Sequence, residues 1–393
     1  MSTIFKLLFL LLTSTVVLAA DKVVIGYFPN WLYGRYEVSS IDFSKYTHIH
    51  YAFAIMTNDT VPLWADPANT ETQLPALVSA AHKAGCKVLI SVGGWSGSIT
   101  FSTMASSAST RKKFIQWNLD QIKQYNTDGV DIDWEYPGKQ GAGCNVVDAD
   151  SDVDNYLTLL TELRAALDND MELSIAGYVS GFSGGSDGAM KSIGQAVTRV
   201  NLMTYDINGA WNPQTGPNSP LESPNGGVSF TSAIDSWTSA GVPANKLTGG
   251  LAFYGRSTTA EEDMSKGSMY QDQVTGDPPK GDSFDASYQD PYCSKDPGGL
   301  TGIWRFGNLI SEGVLSTPTT AKAPWIRNWD NDSSTPWLFN PTTKVFISYD
   351  DPLSIAAKVK QAKTSGLAGV MVWSVDEDSS DGDLLNAAYQ VRV

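Results

Sequence analysis

The chain has 393 residues, of which 42 are Asp or Glu and 27 are Lys or Arg, giving a formal charge of −15. That balance argues against nucleic acid and anionic membranes as partners, because both are bound through clustered basic residues. The length exceeds that of a usual single domain, yet closed α/β barrels carrying insertions reach it as one unit.

The first 20 residues read as a secretory signal peptide. Lys6 precedes an apolar run from Leu7 to Ala20, broken only by Thr13, Ser14 and Thr15 and ending in the small residues Ala19 and Ala20. The run is shorter than the roughly 20 residues that cross a bilayer, which leaves a retained anchor as the lesser alternative. Cleavage after Ala19 or Ala20 removes Lys6 and takes the charge from −15 to −16. The mature chain is expected to be secreted, extracellular and monomeric, with no membrane or nucleic-acid partner.

From residue 22 onward, short apolar runs alternate with amphipathic stretches. Strands are expected at Val23–Phe28, Thr47–Ala54, Lys87–Val92, Gly129–Trp134, Glu172–Gly177, Val200–Tyr205, Leu247–Phe253 and Gly369–Trp373. Helices are expected at Leu74–Ala84, Thr110–Tyr125, Val153–Leu167, Ser232–Ala240 and Ser354–Thr364. Parallel strands need a crossover between each pair, so eight strands alternating with helices predict an α/β fold of the (β/α)₈ (TIM) barrel type. Residues 257–345 break the rhythm between the seventh and eighth strands. A structureless loop of that length is improbable in a compact domain. It reads as a small inserted α+β subdomain on the C-terminal rim, leaving 21–256 and 346–393 to form the barrel.

Cys86 lies at the entry to a buried strand and is expected to be an inert core thiol. Cys144 and Cys293 fall in Gly-rich loop sequence, and export to an oxidising compartment permits a bridge between them. Two free thiols are the alternative, since sequence does not show distance. Asn58-Asp59-Thr60 and Asn331-Asp332-Ser333 are sequons that a eukaryotic host could glycosylate. The histidines are His48, His50 and His82. His48 and His50 alternate on one strand, but no third ligand presents itself, so neither a metal nor another cofactor is expected. Their parity opposes that of Phe53, which predicts that they face the surrounding helices.

The informative stretch is Asp128-Gly129-Val130-Asp131-Ile132-Asp133-Trp134-Glu135-Tyr136. Side chains on a strand alternate faces, so Asp131, Asp133 and Glu135 project from one side and Val130, Ile132 and Trp134 from the other. Burying three carboxylates in a barrel axis costs several kcal/mol per ion unless they are paired or protonated. Close like charges do not all ionise, so at least one proton is shared and one pKa raised. Glu135 stands last, nearest the C-terminal mouth where barrels place their chemistry. A protonated carboxyl there, beside a carboxylate, is what a leaving-group oxygen needs from a general acid.

The row resembles the fourth-strand Asp-x-x-Asp-x-Asp-x-Glu motif of glycoside hydrolase family 18, the chitinase family. The resemblance extends over nearly the whole mature chain. It includes Gly26-Tyr27 and Tyr51-Ala52-Phe53 at the first two strand ends, Ser91-Val92-Gly93-Gly94-Trp95 at the third, and Met203-Thr204-Tyr205-Asp206 at the sixth. Tyr254-Gly255-Arg256, Tyr349-Asp350-Asp351-Pro352 and Val372-Trp373-Ser374 complete the set, and the insertion matches chitinases that carry one.

The resemblance implies hydrolysis of chitin by a retaining, substrate-assisted route with Glu135 as acid and the sugar's N-acetyl oxygen as nucleophile. Asp133 would orient the acetamido N–H, Asp131 would share a proton with it, and Tyr205 would bind the acetamido oxygen. Asp206 would hold the distorted sugar over Trp373. Tyr27, Phe53, Trp95 and Trp211 would be further platforms and Arg256 a polar wall, with Gly94, Tyr136 and Met203 completing the lining. The sequence departs from many relatives at Asn208, where they carry His. Alternatives are an endo-β-N-acetylglucosaminidase acting on N-glycans and a non-catalytic chitin-binding lectin. The complete acidic row argues against the lectin.

Overall fold

The computed structural model describes residues 22–57, 60–296 and 298–393. The segment expected to be a signal peptide and the Asn58 sequon lie outside the described residues. Eight parallel strands form the centre: β1 Val23–Pro29, β2 His48–Ile55, β3 Lys87–Gly93, β4 Gly129–Asp133, β5 Glu172–Gly177, β6 Arg199–Leu202, β7 Leu247–Ala252 and β8 Gly369–Trp373. Each pairs with its sequence neighbours, and β1 pairs with both β2 and β8, so the sheet closes into a barrel.

The helices outside the barrel follow from local sequence. Pro67–Lys83 starts where the Asp66 carboxylate accepts from the Asn69 N–H, and buries Leu74, Leu77, Val78 and Ala81 at i, i+3, i+4 and i+7. Its first turns, Pro67 to Gln73, carry no apolar stripe, which is why sequence places the start later. Ala108–Tyr125 stops at Asn126, whose φ of 55° is left-handed. Pro352–Thr364 begins with Pro in its first turn and a reciprocal cap between Asp351 and Ser354. The helices Ala189–Ala196 and Asp383–Tyr389 were not anticipated. They are too short to register a helical period.

Val130, Ile132 and Trp134 point outward into the helix layer, all at most 1% exposed, with Trp134 stacked 5.3 Å from Phe101. The axis is polar at its base. There Glu172 binds Lys87 at 2.6 Å and His48 at 3.2 Å, and also pairs with Arg199. Burial, and then the Arg199 charge, push His48 well below its ordinary pKa.

The expectation that His48 and His50 face the helices is wrong. His50 is fully buried inside the barrel, edge-on to Tyr27 at 4.8 Å, with Nδ1 3.5 Å from Asp131. The cause is a bulge: Ala52 pairs with Ser91, but the next β3 residue, Val92, pairs with Ala54. The extra residue, Phe53, resets the alternation, so His50 and Phe53 face the axis together. His82 sits outside, 2.8 Å from Asp128.

Between β7 and β8 stands a five-stranded antiparallel sheet, ordered Ile303–Arg305, Tyr254–Thr259, Val345–Ser348, Thr335–Asn340, Ile326–Asp330. It has its own apolar centre of Met264, Met269, Trp337, Phe339 and Phe346. Asn331 is exposed in the turn after Ile326–Asp330. Cys144 in the loop after β4 is disulfide-bonded to Cys293 of the insertion, with Cα atoms 5.5 Å apart. Cys86 is buried and its thiol is pushed up to about 12 by burial, as expected of an inert thiol. Among the described residues no helix is long and apolar enough to cross a membrane.

Glu172→Gln would leave the buried Arg199 guanidinium without its anion. Removing one member of a buried pair costs about 3–5 kcal/mol, so urea unfolding should show a loss of that order with the barrel mouth intact.

Candidate active site

The acidic row rises along β4 and past its end. Asp131 is 0% exposed, Asp133 4% and Glu135 9%. Asp131 is the best-satisfied group in the barrel. Its Oδ2 accepts from Tyr27 Oη at 2.8 Å and Ser91 Oγ at 2.7 Å, and its Oδ1 from Ser174 Oγ at 2.6 Å and Asn201 Nδ2 at 3.2 Å. Burial pushes its pKa up, but the His50 imidazole and the Ser174 and Ser91 hydroxyls outweigh burial and hold it below the usual range. Asp131 is therefore an anion.

Asp133 is the opposite case. Its Oδ1 is buried with no hydrogen-bond partner, and burial, then Glu135, then Asp131 raise its pKa well above the ordinary value. Glu135 is raised to about 7 by burial, with the Tyr136 hydroxyl hydrogen bond opposing and Asp206 adding to the rise. The two titrate as a coupled pair. The row thus has a fixed anion at its foot and, above it, a coupled pair whose carboxyls hold a proton more tightly than usual, with Glu135 near neutrality at the mouth.

The main chain of the row is held by Gly94, expected from sequence, and by two loop residues that sequence reasoning missed, Ser98 and Asn145. Glu135 N–H donates to Ser98 Oγ at 3.0 Å, and Asn145 Nδ2 donates to the Glu135 carbonyl at 2.7 Å. Gly94 N–H and Ser98 Oγ both donate to the Asp133 carbonyl, at 2.8 and 3.2 Å. A Cβ on Gly93 would lie 1.9 Å from that carbonyl oxygen, so only glycine lets β3 approach β4 this closely. A Cβ on Gly94 would lie 2.6 Å from the Phe53 ring. Gly94 thus abuts Phe53 and binds the backbone of the row. Ser98 and Asn145 are single polar residues in loops, and nothing in their spacing marks them.

Around the row the predicted residues gather at the mouth. Tyr205 is partly buried with its hydroxyl 3.6 Å from Met371 Sδ, and burial, then Asp133 and Asp206, raise its pKa well above the usual value. It remains a donor. Asp206, at a left-handed φ of 57°, accepts on one oxygen from Tyr254 Oη at 2.5 Å and Arg256 Nε at 2.7 Å. The Arg256 guanidinium lies 5.0 Å from the Trp211 ring. Trp373 stacks on Phe53 at 5.7 Å and 11° and leans against Tyr27 at 5.6 Å. Met203 packs on the same cluster. Tyr136 packs on Tyr178 at 4.7 Å beneath Lys139.

Trp95 and Trp211 are 49% and 52% exposed, which removes core packing as their role. Trp31, 41% exposed and 6.1 and 6.4 Å from Phe53 and Trp373, joins the aromatic surface although no motif pointed to it. Asn208 is engaged internally, donating to the Pro217 carbonyl at 2.9 Å.

The sequence model of glycosyl hydrolases family 18 matches residues 23–378. A "chitinase-like effector" of Moniliophthora roreri is 34% identical, the match covering 97% of each chain. Among solved structures, a chitinase of Rhizomucor miehei superposes with a TM-score of 0.87 at 32% identity, covering 95% of this chain and all of that one. The Ostrinia furnacalis Group IV chitinase in complex with allosamidin gives 0.80 at 29% identity, covering 94% and 98%. The chain belongs to glycosyl hydrolases family 18.

Asp131→Asn removes the anion below Asp133 and the acceptor for four donors. The Asp133 carboxyl should then titrate at lower pH, followed by carboxyl ¹³C NMR. Stability should fall by about 1–3 kcal/mol for each donor left unpaired. An unchanged Asp133 titration would show that the row is not electrostatically coupled.

Proposed function

We propose that this family 18 member is a secreted chitinase that hydrolyses β-1,4 bonds between N-acetylglucosamine units with retention. The observation that carries the reading is the graded row of carboxyls on and just past β4: anionic Asp131, Asp133 raised well above the ordinary value by burial and its neighbours, and Glu135 raised to about 7 near the aromatic surface of Trp373. Residues 1–20 support export.

Glu135 donates its proton to the glycosidic oxygen, and the bond from that oxygen to the sugar's anomeric carbon breaks. The sugar's own acetamido oxygen attacks that carbon to give an oxazolinium ion, so no second carboxylate need act as nucleophile. Asp133 receives the acetamido N–H on the oxygen that has no protein partner, and so favours the ring-closing geometry. Tyr205 donates to the acetamido oxygen. Glu135, now a carboxylate, takes a proton from the water that opens the ring. Trp373 offers a flat apolar face to the sugar C–H groups, while Asp206 and Arg256 supply polar contacts. A subdomain wall beside the mouth suits a long linear polymer better than a branched N-glycan.

A second reading, chitin binding without turnover, has support in the name of the Moniliophthora relative. The complete row of Asp128, Asp131, Asp133 and Glu135 supports catalysis.

Chitin oligosaccharides compared with de-N-acetylated chitosan oligosaccharides test the mechanism. Cleavage with retention, confined to bonds following an N-acetylated sugar, is expected; binding without cleavage would favour the second reading. Glu135→Gln should lower turnover by about 10²- to 10⁴-fold with oligosaccharide affinity retained, and near-wild-type activity would remove Glu135 as the acid. Asp133→Asn should also damage turnover. Because the acid works protonated, kcat/KM should fall as pH rises through about 7.

A further inference from the structure

The insertion is tied across the barrel mouth. In a closed sheet ordered β1-β8-β7-β6-β5-β4-β3-β2, β4 and β8 are four strands apart in either direction. The chain between β7 and β8 nevertheless reaches the loop after β4 and is bonded to it through Cys293 and Cys144. The contacts of residues 284–296 show its route. Phe284 lies between the guanidinium groups of Arg305 at 5.1 Å and Arg35, after β1, at 5.0 Å. Tyr292 packs on the cluster that holds Tyr27, Phe53, Ile55 and Trp373. Lys295 Cβ lies 3.6 Å from where a Cβ on Gly143 would be. The segment therefore runs round the β1–β2–β3 side, beyond Trp31, Phe53 and Trp373.

It is held firmly at its Cys293 end. Cys293 is 1% exposed and Asp290 4%, and Asp290 Oδ1 accepts from the Tyr292 N–H at 2.8 Å. Gln289 Nε2 donates to the carbonyls of Cys293 at 3.2 Å and Asp296 at 2.8 Å. At the far anchor, Asn145, next to Cys144, is the residue bound to the Glu135 carbonyl. On the other side of the mouth the insertion also meets the loop after β6, through Gln273 Nε2 donating to the Gly209 and Asn212 carbonyls at 2.9 and 2.7 Å, and Trp211 there stands 52% exposed.

We propose that residues 284–296, fixed by the Cys144–Cys293 bond, close one side of the mouth, so that the enzyme takes chitin by its chain ends rather than at internal bonds. The proposal rests on the chitinase reading above. A polymer lying through an open cleft needs both flanks free. Here one flank is crossed by covalently fixed chain, and the sugars that reach the row are counted from a chain end.

The test follows glycol chitin hydrolysis by viscosity and by reducing ends, together with the products from an N-acetylglucosamine hexamer. Reducing ends should accumulate with little loss of viscosity, and one short product should dominate from the first turnovers. Cys144→Ser combined with Cys293→Ser should raise the viscosity lost per bond cut several-fold. If that variant does not fold, Tyr292→Ala, which loosens the segment and leaves the bond, should shift the ratio in the same direction. A steep early viscosity drop and mixed product lengths from the wild-type protein would overturn the end-directed reading and leave the chitinase reading standing. No cleavage of any of these substrates by folded protein would overturn both.

Discussion

The buried Asp131 carboxylate organises the barrel. An anion with no solvent contact must be answered by donors, and here they come from all round the sheet: Tyr27 from β1, Ser91 from β3, Ser174 from β5 and Asn201 from β6. Thr248 of β7 donates to Asn201 Oδ1 at 2.8 Å and fixes which way that amide points. The His50 imidazole of β2 stands 3.5 Å from the same carboxylate. Closure of the sheet and ionisation of Asp131 are thus one requirement: the donors converge only when the strands meet. That fixed charge, after burial and Glu135, also raises the pKa of Asp133 above it.

Precision at the mouth comes from the backbone. The end of β4 is a short stretch beyond regular pairing, and Glu135 would be loosely placed without Ser98, Gly94 and Asn145 holding the peptides on either side of it. Glycine at 93 lets β3 press against the Asp133 carbonyl, and glycine at 94 leaves room for Phe53, the ring on which Trp373 stacks. Acid and platform are therefore positioned by the same turn. This explains why a run of small residues belongs beside a row of acids.

Much of this was legible in the sequence. The period-two spacing of Asp131, Asp133 and Glu135 against Val130, Ile132 and Trp134 places the acids in the axis with no further information, and the eight apolar runs give the barrel. What escaped was whatever depends on pairing between distant segments. The orientation of His50 follows from a bulge at Phe53 that exists only relative to β3, so counting along β2 alone assigns the wrong face. Ser98, Asn145 and Trp31 act through loops whose course is set by packing, and the two short helices lack the length to show a period. The division of ionisation along the row was foreseen only as a shared proton.

The base of the barrel sets the terms on which those protons move. Glu172, Arg199, His48 and Lys87 close the axis below, and the fully buried Ile25 and Met371 line it. In the hydrolysis proposed above, the proton that Glu135 lends to the departing alcohol is returned by the water that ends the cycle, so each turnover begins with the acid recharged.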